Sequence, residues 1–514
     1  MIPFSAQIYN KDFSNILIQY SLDFRPTRLS WNAIGGPDDA TIEASGPEVE
    51  LWELIERLRS PIEVIGPSGS LIWWGYIEGV SVNTSALNIS VFLERMSNRI
   101  CVTYSEVNVA GTVGERRTTT WYEDADSIAA YGTKERRLSQ SQATATEAEN
   151  YAQTLLERMK FPIVKHTFSP GEPEATATIQ CSGWWKTLDW KFYENSGGKE
   201  GYEEIGQGLQ SLGDNSARQK MAQSFQIASG TTWEAQSVRI RMKKEESPVD
   251  NLTVGLYSDS AGAPGTLLAS AQLAGSEVNE NLNWHELLLN TRVLLAVSTT
   301  YWLVVSRSGA TDATNYYKVD ANEELGYTSG ILRVWNGSAW VARSPDADML
   351  FAVGGVEETT TQLERMFTIG GQFFTGVDVD ILSGVYSSPY RDGDQSVLSC
   401  VKEILKSGTT NLRRILATVN FQRRIKIYEE PASGSNDYAL HANGDLHDVL
   451  DRFLNRWNYP VGIWVRLADV IPASADTSRI ADPSRVFIER VIYNVEQDSV
   501  VIQERDYIGL LEVE

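Results

Sequence analysis

The chain has 514 residues, 42% hydrophobic and 22% charged, the texture of a folded globular protein with room for about three or four domains. Its 67 acidic residues against 45 Lys and Arg give a net charge of −22, which repels a phosphate backbone and argues against nucleic-acid contact on the acidic surface. No apolar run approaches the ~20 residues of a membrane span, and the first 13 residues lack the basic-then-apolar order of a secretory signal.

Residues 1–102 read as a barrel-like β domain carrying one helix. Ile18, Tyr20, Leu22 and Phe24 alternate with polar residues, as do Leu87, Ile89, Val91 and Leu93, the period of half-buried strands. Leu51, Leu54, Ile55 and Leu58 recur at helical spacing before Pro61, and Ser68-Gly69 marks a turn between two strands. Residues 103–195 read as a central α+β domain. Its helix opens on a Thr144/Glu147 capping box, carries an apolar stripe through Ala148, Tyr151, Ala152, Leu155 and Met159, and stops before Pro162. Ahead of it, residues 126–135 read DSIAAYGTKE.

Residues 196–215 are rich in Gly, Ser and Glu and predict a linker. Residues 216–355 have another texture, closely spaced strands without helices, which predicts a β-sandwich. Trp335-Asn336-Gly337-Ser338 places an Asn-Gly hairpin turn between two short strands there. Residues 356–435 predict a second barrel-like domain, with a helix through Val397, Cys400, Val401, Ile404 and Leu405 closed by Gly408. Residues 436–514 predict a helix through Leu446, Val449, Leu450, Phe453, Leu454 and Trp457, then a hairpin turning at Glu496-Gln497-Asp498.

The chemistry-bearing patterns are sparse. GxSxG, GxxxxGK[ST] and HExxH are all missing from the sequence, so no catalytic residue, cofactor site or enzyme activity is expected, and a glycosidase-type carboxylate pair is unspecified among so many acids. Cys101, Cys181 and Cys400 lie far apart, with no CxxC spacing, and read as buried thiols of a protein made in a reducing cytoplasm. The close histidine pair, His441 and His447, is not spaced to share one helical face, so no metal site is expected. Asp392-Gly393-Asp394 lacks the other ligands of a calcium loop, and either Asp394 or Ser396 reads as the cap of the helix after it. Val377–Ile381 alternates acid and apolar residues as a strand with one wet face does. The sandwich is rich in Trp and Tyr, mostly core by position; Trp335 and Trp340 flank a turn and are the candidates for carbohydrate stacking. In Trp73-Trp74 and Trp184-Trp185, strand alternation puts one indole in the core and frees the other for a subunit interface.

Several local patterns, taken in order, resemble the bacteriophage tail hub family, the trimeric ring at the tip of the tail tube. They are residues 34–41 (IGGPDDAT), Trp74-Gly75-Tyr76-Ile77-Glu78, Ser127-Ile128 with Tyr131-Gly132, and Asp482-Pro483-Ser484 before Phe487-Ile488. The resemblance spans residues 1–195 and 360–514. It implies a β-rich, multidomain α+β chain in which two barrel-like hub domains mimic two tail-tube subunits. Three copies would adapt a six-fold tube to three-fold tip proteins. Expected partners are two further copies, tail-tube or distal tail proteins, and tip or fibre proteins, in the virion at the distal end of the tail. Residues 216–355 depart from a minimal hub and resemble choice-of-anchor β-sandwiches through Leu256-Tyr257-Ser258-Asp259, Pro264-Gly265 and Leu267-Leu268-Ala269. Such an appendage would decorate the tip, brace its neighbours or touch host-surface glycan. Envelope polysaccharide hydrolysis ranks third.

Overall fold

A computed structural model describes residues 4–14, 21–84, 87–107, 113–168, 175–203, 208–227, 232–322, 326–343, 347–432, 438–441, 443–468 and 485–504. Ile18, Tyr20 and Asp482-Pro483-Ser484 lie outside the described residues. The chain is a β-rich, multidomain α+β protein in two compact units: residues 1–193 with 363–384 and 394–514, and residues 194–362 with 385–393.

The first unit is built on one large sheet. From Asp23–Asn32 it runs through Gly36–Ser45, Thr176–Ser182, Leu71–Asn83 and Pro61–Ile65 to Ser5–Ile8. On its other side Asp23–Asn32 pairs with Arg485–Asn494, which continues to Ile463–Leu467 and Ser499–Glu504. The two ends of the chain therefore extend a single sheet, and no closed barrel forms among the described residues. Trp73 and Tyr76 are fully buried in its core, and Trp73 Nε1 donates to the Ser30 carbonyl at 3.2 Å. Trp74, on the opposite face, is half-buried and donates to the Val419 carbonyl. Trp184 and Trp185 are both buried, unlike a strand pair, because they open the 3₁₀ helix Trp184–Trp190. Gly183 before them lies so close to Pro37 that a Cβ would stand 1.8 Å from its carbonyl oxygen.

Where a second barrel is expected, two amphipathic helices consume the chain. Leu363, Met366 and Phe367 on Thr359–Gly370, and Val397, Cys400, Val401 and Ile404 on Val397–Leu405, enter the core at i, i+3, i+4 spacing. Beside them Gly376–Val379 runs parallel to Arg424–Glu429, which pairs antiparallel with Ile415–Val419, a three-stranded sheet. Asp378 and Asp380 point away from the core to Arg424 and Lys426, the wet face of that strand. Ser396 caps Val397–Leu405 by accepting from Ser399 N. In the central domain Arg99–Val107 lies parallel to Glu135–Ala143, covered by Ala148, Ala152 and Leu156 of the helix Ala145–Met159, whose Thr144/Glu147 capping box is complete. Cys101, Cys181 and Cys400 are all buried.

The helix expected from Leu446 does not form. Asp448 Oδ1 accepts from the backbone N–H groups of Leu450 and Arg452, competing with helical bonding, and Asp451 takes a left-handed φ of 59°. Leu446–His447 instead pairs with Ala439–Leu440, and only the short 3₁₀ turn Arg456–Asn458 follows.

The second unit is a two-sheet sandwich. One sheet runs Lys199–Tyr202, Phe351–Glu358, Trp233–Glu245, Tyr316–Asn322, Gly208–Leu212. The other runs Ala263–Leu273, Leu252–Ser260, Thr300–Arg307, Lys220–Gln226, Leu332–Trp335, Trp340–Ala342. Alternate residues of both, among them Trp233, Phe225, Val254, Leu303 and Phe351, meet in one core. The expected linker is part of this sandwich: Lys199–Tyr202 and Gly208–Leu212 are strands. Glycine there marks close packing, since a Cβ on Gly201 would stand 2.3 Å from the Phe351 carbonyl oxygen.

Candidate functional site

Trp335 and Trp340 sit directly opposite each other across the hairpin turn, both half-buried, with ring centroids 5.6 Å apart and planes at 66°. The expected hairpin forms, with its turn centred on Gly337-Ser338 rather than Asn336-Gly337: Asn336 N donates to the Ala339 carbonyl, Gly337 takes φ 96°, and Asn336 Oδ1 accepts from the N–H groups of Ser338 and Ala339. The indoles make a corner rather than a flat floor. Trp340 and Tyr257 each pack against a small buried cluster of Ala222, Trp302 and Val304 on the outward face of the six-stranded sheet. Trp302 is itself buried there, donating from Nε1 to Asp259 Oδ1 at 2.7 Å beneath the Arg333 guanidinium. The Lys220 ammonium stands 5.8 Å from the Trp335 ring centre. This face thus offers angled apolar surfaces beside Asp259, Arg333 and Lys220, groups able to orient a polyhydroxylated ligand.

Sequence reasoning did not find a cavity of about 740 Å³ in the first unit, with Tyr76, Lys134, Trp190, Lys402 and Arg414 among its walls. Two of its cations, Lys186 and Arg414, are held in ion pairs. Lys186 bridges Asp38 and Asp39; burial works against its charge, but these carboxylates outweigh it and its pKa is raised. Arg414 reaches Glu430 and Glu489, each at 2.9 Å. Lys134 Nζ donates to the backbone carbonyls of Leu93 and Glu94 and faces Trp190, and burial pushes it down to about 8. Burial likewise lifts the Tyr76 phenol well above its ordinary value. No local motif marks a lysine that tertiary packing will bury.

The second site missed is the histidine pair. With a hairpin in place of the helix, His441 and His447 come together, ring centroids 4.3 Å apart. Asp451 Oδ1 lies 2.9 Å from His447 Nδ1 and 4.0 Å from His441 Nε2.

No protein-family profile matches the chain, and no curated protein matches it either. Three proteins are among the solved structures to which similarity is found. One is a glycoside hydrolase family 43 arabinoxylan arabinofuranohydrolase from Bacillus subtilis in complex with cellotetraose, at 12% identity and a TM-score of 0.14, covering 55% of this chain and 63% of that one. Another is the mosquito-larvicidal Cry4Aa toxin from Bacillus thuringiensis, at 8% identity and a TM-score of 0.17, covering 67% and 58%. The third is the CBM22-1-CBM22-2 tandem domain of Paenibacillus barcinonensis Xyn10C, at 7% identity and a TM-score of 0.14, covering 68% and 93%. At such scores the likeness carries no argument.

Proposed function

We propose that this chain is a structural hub of a phage or phage-like tail tip, a homotrimeric ring between tail-tube or distal tail proteins and tip or fibre proteins. The ordered motifs support this reading, and one structural observation carries it. Strand Ile163–Phe168 is exposed along its whole length, with Ile163 and Val164 each 47% and Phe168 80% in water. Among the described residues it pairs on one side only, with Leu87–Phe92. A free edge bearing exposed apolar side chains is an aggregation hazard in a lone chain and an assembly surface in a ring. Here its natural occupant is another copy of the chain, since a closed ring needs self-compatible contacts. The test is imaging of particles: a three-fold ring of this protein at the tail end supports the proposal, and tail ends without one overturn it.

A second reading, compatible with the first, is that the sandwich recognises host-surface carbohydrate at Trp335 and Trp340. It rests on the half-buried indole corner beside Asp259, Arg333 and Lys220. Loss of binding to envelope glycans in Trp335→Ala and Trp340→Ala, with the fold retained, would support it; undiminished binding would remove it.

A further inference from the structure

We propose that His441, His447 and Asp451 bind a divalent transition-metal cation of the zinc class, an inference independent of the hub reading. Two successive tight turns create the cluster. In the first, His441 N donates to the Asp445 carbonyl and Gly444 N to that of His441, turning Ala439–Leu440 back onto Leu446–His447. In the second, Asp448 N donates to the Arg452 carbonyl and Asp451 N to that of Asp448, while Leu454 N returns to the Leu446 carbonyl. The second turn folds Asp451 over both imidazoles.

The donor set and its spacing suit such an ion. Two imidazoles and one carboxylate are borderline ligands that favour zinc and its neighbours over calcium or magnesium. One donor atom from each residue fits within 4.8 Å of the others. Neighbouring ligand atoms in a tetrahedral zinc site, with bonds of about 2.0–2.1 Å, lie roughly 3.3 Å apart. The 2.9 Å and 4.0 Å separations from Asp451 Oδ1 bracket that value, so small side-chain rotations centre an ion. The nearby guanidiniums do not compete for the Asp451 carboxylate: Arg452 is held by Asp448, and Arg456 by Asp445 at 2.9 Å. Asp451 is 84% exposed, so an ion enters directly from solvent and keeps coordination positions beyond the three protein ligands. Bound metal would tie both turns of this segment together.

The test is calorimetric titration of the full chain, stripped of metal, with zinc chloride, and in parallel with cobalt chloride read by visible absorption. The expected result is one saturable equivalent of each ion, bound about tenfold or more weakly after His441→Ala and after Asp451→Asn. Asp451→Asn keeps the side chain's shape and its capacity to bond His447, so it decides the matter even if His441→Ala unfolds. His166→Ala, remote in sequence, should bind as the parent does. Absence of saturable binding, or Asp451→Asn binding as tightly as the parent, would overturn the proposal.

Discussion

Asp250 and Arg307 meet end to end inside the sandwich. Arg307 donates from Nη2 to Asp250 Oδ1 at 2.6 Å and from Nε to Oδ2 at 2.9 Å, with side chains only 5% and 13% exposed for Arg307 and Asp250. Arg307 also donates to the Gly213 and Asn315 carbonyls, so one guanidinium links the ends of several strands. Removing one partner of such a buried pair strands the other charge. Asp250→Ala should cost about 3–5 kcal/mol of sandwich stability, read by denaturant unfolding.

The same pair gives a pH signature. Burial alone would raise the Asp250 carboxyl, but the Arg307 hydrogen bonds and the Gly309 N–H outweigh it and hold its pKa below the usual range. A depressed folded pKa contributes stability that is complete above the unfolded value, about 3.9, and is lost as pH falls through the folded one. Unfolding followed from pH 6 down to pH 2 should show the parent losing stability below about pH 4, with a shallower loss in Asp250→Asn.

Ser396 joins two parts of the first unit. Its Oγ caps Val397–Leu405 and donates to Asp189 Oδ1 at 2.6 Å. Ser396→Ala should lower stability by about 1 kcal/mol, whereas Ser396→Asp, which keeps the cap, should place a second carboxylate against Asp189 and do no better. Thermal unfolding of the two variants separates cap from bridge.

The tryptophans divide by burial. Trp73→Ala empties a fully buried site and should cost about 3–5 kcal/mol, abolishing the first unit's cooperative melt. Trp335→Ala, at a half-buried turn, should leave the melt of the second unit in place. Differential scanning calorimetry of both variants reads this directly.

Much of the local structure is legible in the sequence because the signals are local. The Thr144/Glu147 box, the Ser396 cap, the Trp335–Trp340 hairpin and the strand around Asp378 each depend on a few adjacent residues, and each forms. What fails depends on distant partners or on competing local bonds. The apolar spacing from Leu446 to Trp457 fits a helix, yet the Asp448 carboxylate captures the N–H groups that helix would use. That one substitution of bonding pattern both removes the helix and creates the His441–His447 contact. Glycines near Gly201 signal flexibility by composition, but act as close-packing sites once Phe351 lies against them. The pairing of Asp23–Asn32 with Arg485–Asn494 joins segments more than four hundred residues apart, and no periodicity in either strand names its partner.

The mass of the purified full chain in solution tests the central claim most directly. The account predicts a species of three times the 57.2 kDa chain mass, falling to a single chain when Ile163 and Phe168 are both changed to Glu. A parent protein that stays at one chain mass at every concentration, with the same behaviour in the double variant, would contradict it.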